Sequence, residues 1–284
     1  MSDSHPPPTP EGLTSARKVQ VTHVSPAGAQ HTTDLAAAEE PLDIRLHGKS
    51  FAVIMRTPGH DRELAVGFLQ SERVIRSPDD LGAVEHCRHP DQSRVHHVVD
   101  VFLRGDAASR VPGFLEQRRQ VIANSSCGIC GRSTIDELAA ALQPLGERPP
   151  VALDLVRTLP DRLRATQATF DDTGGLHGAA LFTADGELII SAEDVGRHNA
   201  VDKVFGWMLI TEARVRPAML AVSGRVAFEI VQKAWIGGVP IVVAVSAPTS
   251  LAVDLADAAG IALLGFVRGA SLNIYTHTAR IAGV

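Results

Sequence analysis

The chain has 284 residues, 45% of them hydrophobic, 21% charged and 4% aromatic, with a formal net charge of −5. A length of this order buries roughly three quarters of the surface that the unfolded form exposes, enough for one large domain or two smaller ones. The balance speaks against the basic face and stacking aromatics of a nucleic-acid binder; no run of about 18 apolar residues marks a membrane span; and an odd count of three cysteines, without a disulfide framework, points to a reducing cytoplasm.

Residues 1–16 open on a Pro-rich, polar stretch that reads as a disordered tail, unlike a signal peptide. A smaller β-rich lobe is expected over 17–142. Val19 to Ser25, Leu42 to Leu46 and Phe51 to Met55 read as strands, the last two flanking a hairpin turn at His47-Gly48-Lys49. Asp61 to Glu72 sets Leu64, Ala65, Phe68 and Leu69 at helical spacing, and Val95 to Leu103 reads as strand again. Arg119 to Ala123 is expected as a further strand, and Ser133 to Leu142 as a helix with a capping-box start.

Between those two lies Asn124-Ser125-Ser126-Cys127-Gly128-Ile129-Cys130-Gly131-Arg132. A thiol pair in a polar, Gly-rich turn before a helix is suited to chemistry more than to packing. An ordinary thiol of pKa about 8.5 is only a few per cent thiolate at neutral pH. A helix end contributes less than about one pKa unit, so Arg132, with Arg118 or Arg119, is the stronger candidate activator.

Gln143 to Pro150 reads as a linker. Over 151–284 the rhythm is clearer. Ala179 to Thr183 and Glu187 to Ser191 pair across Asp185-Gly186, and Gly196 to Ile210 forms a helix. The strands Ala218 to Ser223, Pro240 to Ala247 and Ile261 to Val267 alternate with helices Val226 to Ile236 and Thr249 to Ala259. Alternation of this kind implies parallel pairing and an α/β lobe. Ligands of such sheets sit beyond the carboxyl ends of the strands, where Ser223-Gly224-Arg225, Ser246 to Ser250 and Phe266 to Ser271 combine small residues, hydroxyls and arginines. An anion crevice is the expectation, although no Walker A or dinucleotide fingerprint supports it.

Taken together, Asn124 to Arg132, Gly174 to Ala180, Glu193-Asp194-Val195-Gly196-Arg197-His198-Asn199-Ala200-Val201-Asp202-Lys203, Ser223-Gly224-Arg225 and Phe266 to Tyr275 resemble the FdhD family of formate dehydrogenase accessory sulfurtransferases. The resemblance runs over residues 17–284. It implies a cytidine-deaminase-like three-layer α/β core and a homodimer. It also implies a sulfur carrier that takes persulfide sulfur from a cysteine desulfurase and passes it to the molybdenum cofactor, bis-molybdopterin guanine dinucleotide, before insertion into formate dehydrogenase. By the same resemblance Cys127 carries the persulfide with Cys130 as companion, and Phe266, Val267, Arg268, Gly269, Ala270 and Ser271 bind the cofactor, for which a GDP-like nucleotide is a mimic. No metal site of the protein's own, no nucleic acid and no membrane are expected.

Other readings stand beside this one. A cofactor chaperone that moves no sulfur would use the same crevice. Cys127 and Cys130 with Cys87 and a neighbouring histidine make a Cys₃His zinc set, and Cys-x-x-Cys before a helix is also the local order of a thioredoxin-like site. Deaminase chemistry lacks its His-x-Glu, since Gly178 and Ala179 follow His177. His177 and His198 either touch the cofactor or brace a loop. Asp194, Asp202 and Lys203 are either functional or a helix cap and surface pair, and Arg268-Gly269 is also a plain tight turn.

Overall fold

The computed structural model describes residues 14–86, 97–122 and 143–284. It opens on an antiparallel ribbon of β1 (Ala16–Ser25) and β2 (Gly28–Ala37). The second strand, built from small and polar residues, is not anticipated by hydrophobic pattern. β3 (Glu40–Leu46) and β4 (Lys49–Arg56) form the expected hairpin. After α1 (Asp61–Ser71), β5 (Leu81–His86) and β6 (Val98–Leu103) complete a four-stranded sheet in the order β4-β3-β6-β5. Leu42, Ile44 and Leu46 of β3 close a core with Leu64, Ala65 and Leu69 of α1, while Val53 and Met55 on β4 stay exposed. This sheet is therefore packed against a helix on one face.

Helices α2 (Gly105–Ser109) and α3 (Val111–Ile122) follow. The strand expected from Arg119 is thus a correction, because as far as Ile122 the chain is helical. Pro112 fits a first helical turn, and the run Leu115 to Arg119 consists of good helix formers that carry the helix through the β-branched pair Val121-Ile122. Ala123, Cys127, Cys130, Cys87 and the helix expected over Ser133 to Leu142 lie outside the described residues.

The carboxyl-terminal half runs β7 (Val151–Ala152), α4 (Leu153–Arg164), α5 (Ala168–Thr173), β8 (His177–Phe182), β9 (Leu188–Asp194), α6 (Arg197–Ile210), β10 (Met219–Val222), α7 (Phe228–Ile236), β11 (Ile241–Ala244), α8 (Ser250–Ala259), β12 (Ala262–Arg268), β13 (Ser271–Ile274) and β14 (Ile281–Ala282). Six of these strands form one sheet in the order β13-β12-β11-β10-β8-β9. β10, β11 and β12 are parallel, whereas β8, β9 and β13 run antiparallel to their neighbours. Alternation along the strands feeds two cores. Leu220, Val222, Val242 and Leu263 pack with α6, α7 and α8; Met219, Ala221, Val243 and Leu264 pack with Val156, Leu159 and Leu163 of α4. The result is a three-layer mixed α/β arrangement.

The two parts meet where α1 crosses α6. A Cβ on Gly67 would lie 1.9 Å from the Asp202 carbonyl oxygen, and one on Gly206 would lie 1.8 Å from that of Glu63, so the helices touch backbone to backbone. The irregular segment 143–150 is tied to the α/β part. Leu145 N–H donates to Ala259 O at 2.8 Å, Arg280 Nη2 to Leu145 O at 2.7 Å, and Arg148 to the carbonyls of Pro217 and Gly238. Among the described residues no helix is long and apolar enough to cross a membrane.

Candidate functional site

Parallel pairing brings the carboxyl ends of β10, β11 and β12 to one edge of the sheet, where the loops that follow are free to meet a ligand. β8, running the other way, delivers its first residue, His177, to the same edge. The loops are laced together. Val226 N–H donates to Ala247 O at 3.1 Å, Thr249 N–H to Val226 O at 2.9 Å and Phe266 N–H to Ser246 O at 3.2 Å. Thr249 caps α8 by accepting from Ala252 N–H, which gives it a structural role at this edge.

The segment predicted to bind cofactor sits at this edge, and its residues differ in what they present. Val267 is fully buried in the core, leaving only its backbone for contact. Phe266, Arg268, Gly269, Ala270 and Ser271 are exposed. Phe266 adopts φ 54 and Gly269 the same value, and the ladder slips between Gly265 and Arg268. A left-handed phenylalanine is strained, a condition that collects at ligand clamps. Arg268 Nε donates to Val245 O at 3.0 Å and its guanidinium lies 5.9 Å from the centre of the Phe266 ring. The exposed arginine is thus held through its Nε.

On the β10 side, Ser223 Oγ accepts from Gly178 N–H at 2.9 Å, joining the two strand ends. Gly224 lies close under two side chains, since a Cβ there would stand 3.1 Å from His177 Nδ1 and 3.6 Å from Arg197 Cδ. Beside them lies a cavity of about 420 Å³ lined by Arg164, Gln167, Phe170, His177, Ser223 and Val245 among others. Burial, then Arg197, hold His177 below its ordinary range. The same causes push His198 down to about 4. Both rings are therefore neutral at pH 7.

The block Glu193 to Lys203 is mostly a weld. The Glu193 carboxylate accepts from Thr169 and Phe170 N–H at 3.0 and 2.8 Å, capping α5. Asp194 accepts from Thr57 N–H at 3.1 Å, Gly196 N–H at 2.8 Å and Asn199 Nδ2 at 2.9 Å, and pairs with Lys203 at 2.8 Å. Lys203 also donates to Thr57 O and Glu193 O, and Asn199 to Met55 O. Asp202 pairs with Lys233 at 2.6 Å and accepts from Ser71 at 2.8 Å. Asp194, Asp202 and Lys203 are each at most 2% exposed, so the surface-pair reading gives way to a buried network between the two parts of the molecule. Neither His177 nor His198 braces a loop by a hydrogen bond to a described residue.

Comparison with known proteins bears on what this edge is for. A model of the FdhD/NarQ family matches residues 37–282. The chain belongs to the FdhD/NarQ family. Relatives named "Sulfur carrier protein FdhD" include one from Streptomyces coelicolor, 46% identical over 276 residues that cover 95% of this chain and 96% of that protein. Another, from Anaeromyxobacter dehalogenans, is 49% identical over 257 residues, covering 87% and 88%. A solved structure from Desulfotalea psychrophila, named for a formate dehydrogenase accessory role, superposes with a TM-score of 0.74 at 23% identity, covering 94% of this chain and all of that one. That likeness shows the fold. Gln167 and Arg164, beside the cavity, are invisible to sequence reading, because α4 and α5 carry no motif and reach the edge only through tertiary packing.

Proposed function

We propose that this FdhD/NarQ protein is a sulfur carrier in formate dehydrogenase maturation, passing sulfur to bis-molybdopterin guanine dinucleotide held as cargo at the carboxyl edge of the six-stranded sheet. The observation that carries the reading is the gathering of Arg268, Gly269 and Ser271 with His177, Arg197 and Arg225 at one strand edge, in a chain whose relatives are named sulfur carriers. Arginine and backbone N–H groups match the phosphates of the dinucleotide arms, which are costly to desolvate unpaired. In this reading residues 17–142 carry the thiols, 151–284 form a cytidine-deaminase-like cofactor lobe, and 143–150 join them.

Cys127 is the acceptor. Its thiolate attacks the outer sulfur of a cysteine desulfurase persulfide, the donor S–S bond breaks, the donor thiolate leaves, and Cys127 holds the persulfide. Attack by the Cys130 thiolate on the inner sulfur then gives a Cys127–Cys130 disulfide and frees hydrosulfide for the molybdenum centre. A cellular dithiol reductant resets the pair. The work is cytoplasmic, and the carrier acts as a homodimer.

Intact-mass spectrometry after incubation with a cysteine desulfurase and cysteine tests this. Wild type gains one sulfur and Cys127→Ala does not; an unchanged wild-type mass rejects the reading. Formate dehydrogenase maturation surviving in the Cys127→Ala/Cys130→Ala double variant favours a chaperone that moves no sulfur.

A further inference from the structure

The ribbon of β1 and β2 is held only at its root. Ala38 N–H donates to Ser15 O at 2.8 Å, Thr169 Oγ1 donates to Ser15 Oγ at 3.2 Å, and a Cβ on Gly175 would stand 3.2 Å from Ala37 Cβ. From there ten residues pair with ten in unbroken register, Ala16 opposite Ala37 through Ser25 opposite Gly28, a length of roughly 30 Å at ordinary strand rise. Every residue of β2 from Gly28 to Asp34 is exposed. Among the described strands, β1 and β2 pair with each other and with no third, so both long edges are open.

A two-stranded ribbon by itself is marginally stable in water, and long edges are ordinarily blunted by proline, a bulge or shortness. The two strands contain no proline and no bulge. They also carry apolar side chains that join no core: Val19 and Val21 on one face are half-covered, and Val24 on the other is 73% exposed. A matching surface begins just past the root. Pro41 follows the ribbon by four positions and pairs with Met55, Asp43 pairs with Val53, and residues paired across strands share a face. Met55 and Val53 are 49% and 64% exposed, on the side of the four-stranded sheet turned away from α1. Charge of both signs stands open in the same region, since Arg17, Lys18 and Glu39 are exposed and form no ion pair.

We propose that the ribbon is an exchanged arm, laid in a two-fold dimer across Pro41, Val53 and Met55 of a second copy. A second copy is the occupant that this surface selects. An isologous contact needs both halves of the match on one chain, and the arm, the apolar strip and the open charges of both signs all lie on this one. The size agrees: a stable interface takes about 20 to 30 residues a side, and the ribbon with the strip at its root supplies about that many. Closure of the pair buries the valines of each arm and shields its faces, which is what an isolated ribbon lacks. The inference rests on the homodimer of the proposed function and adds which surfaces make it.

Sedimentation of the full chain over a dilution series, with hydrogen exchange of the ribbon amides at the same concentrations, tests it. Wild type dimerises, and its ribbon amides exchange faster once dilution gives the monomer. Val19→Asp/Val21→Asp on the arm and Val53→Asp/Met55→Asp on the strip each weaken the dimer by about a hundredfold, with melting temperatures near that of wild type. Should either double variant fail to fold, the exchange measured on wild type decides. A wild-type dimer that neither variant weakens, or a ribbon whose exchange ignores dilution, overturns the arm and leaves the homodimer standing. Weakening by one double variant alone overturns the match of arm to strip. A ribbon protected in the monomer means that another segment of the same chain covers it, which overturns the exchange. A wild type that stays monomeric overturns arm and homodimer together, while sulfur uptake, read by mass, stands or falls separately.

Discussion

Lys203 and Lys233 are cations taken almost wholly out of water, at 2% and 8% exposure, and each is matched to one aspartate. Removing one partner of such a pair leaves an uncompensated charge and costs about 3 to 5 kcal/mol, more than the intact pair contributes. Lys233→Met should therefore destabilise by about that amount in urea unfolding. The double variant Lys233→Met/Asp202→Asn should recover part of it. His198 makes a second residue-scale prediction. Its folded pKa of about 4 lies below its ordinary 6.5, so between those values the unfolded chain binds a proton that the folded one refuses, and stability falls as pH drops through that window. His60 and His177 are lowered too and act in the same direction. In His198→Gln the loss of melting temperature between pH 7 and pH 5 should shrink without vanishing; an unchanged slope refutes the assignment.

At the scale of elements, legibility depends on whether the signal is local. The helix at α6 and the strands β10, β11 and β12 are readable from apolar runs and spacing. The hairpin of β3 and β4 is readable from its turn, where Gly48 takes φ 80. The end of α3 misleads because Val121 and Ile122 favour strand locally while the helix begins at Val111. β2 escapes because Gln30, Thr32 and Thr33 pair along β1 without an apolar face. The crossing of α1 and α6 is beyond any local pattern, since it depends on two glycines far apart in the chain. Gly206→Ala should destabilise by about 3 kcal/mol as the helices are forced apart, despite alanine's better helix propensity. Gly113 in α3 has no atom of the described residues within 4 Å of where a Cβ would stand, so Gly113→Ala should be neutral or stabilising by up to about 1 kcal/mol. Thermal melts of the two variants decide whether close approach, and not glycine itself, is what matters.

For the molecule as a whole, the carboxyl edge of the sheet and the Arg268 turn are legible in the sequence, because strand ends followed by small residues and arginine have a recognisable composition. The side chains of the Glu193 to Lys203 block that are buried between the two parts of the molecule are not separable there from those that are not. That distinction depends on Thr57, Ser71 and Met55, more than a hundred positions upstream, as the partners of Asp194, Asp202 and Asn199. The same weld governs how the protein comes apart. A cut between residues 146 and 147 would leave the carboxyl-terminal fragment with Asp194 and Asp202 stripped of their upstream donors, and the amino-terminal fragment with the seam of α1 bare. Neither piece should be soluble by itself, while co-expression of both should reconstitute a stable complex. The protein would then behave as a split reporter, its halves signalling only when brought together.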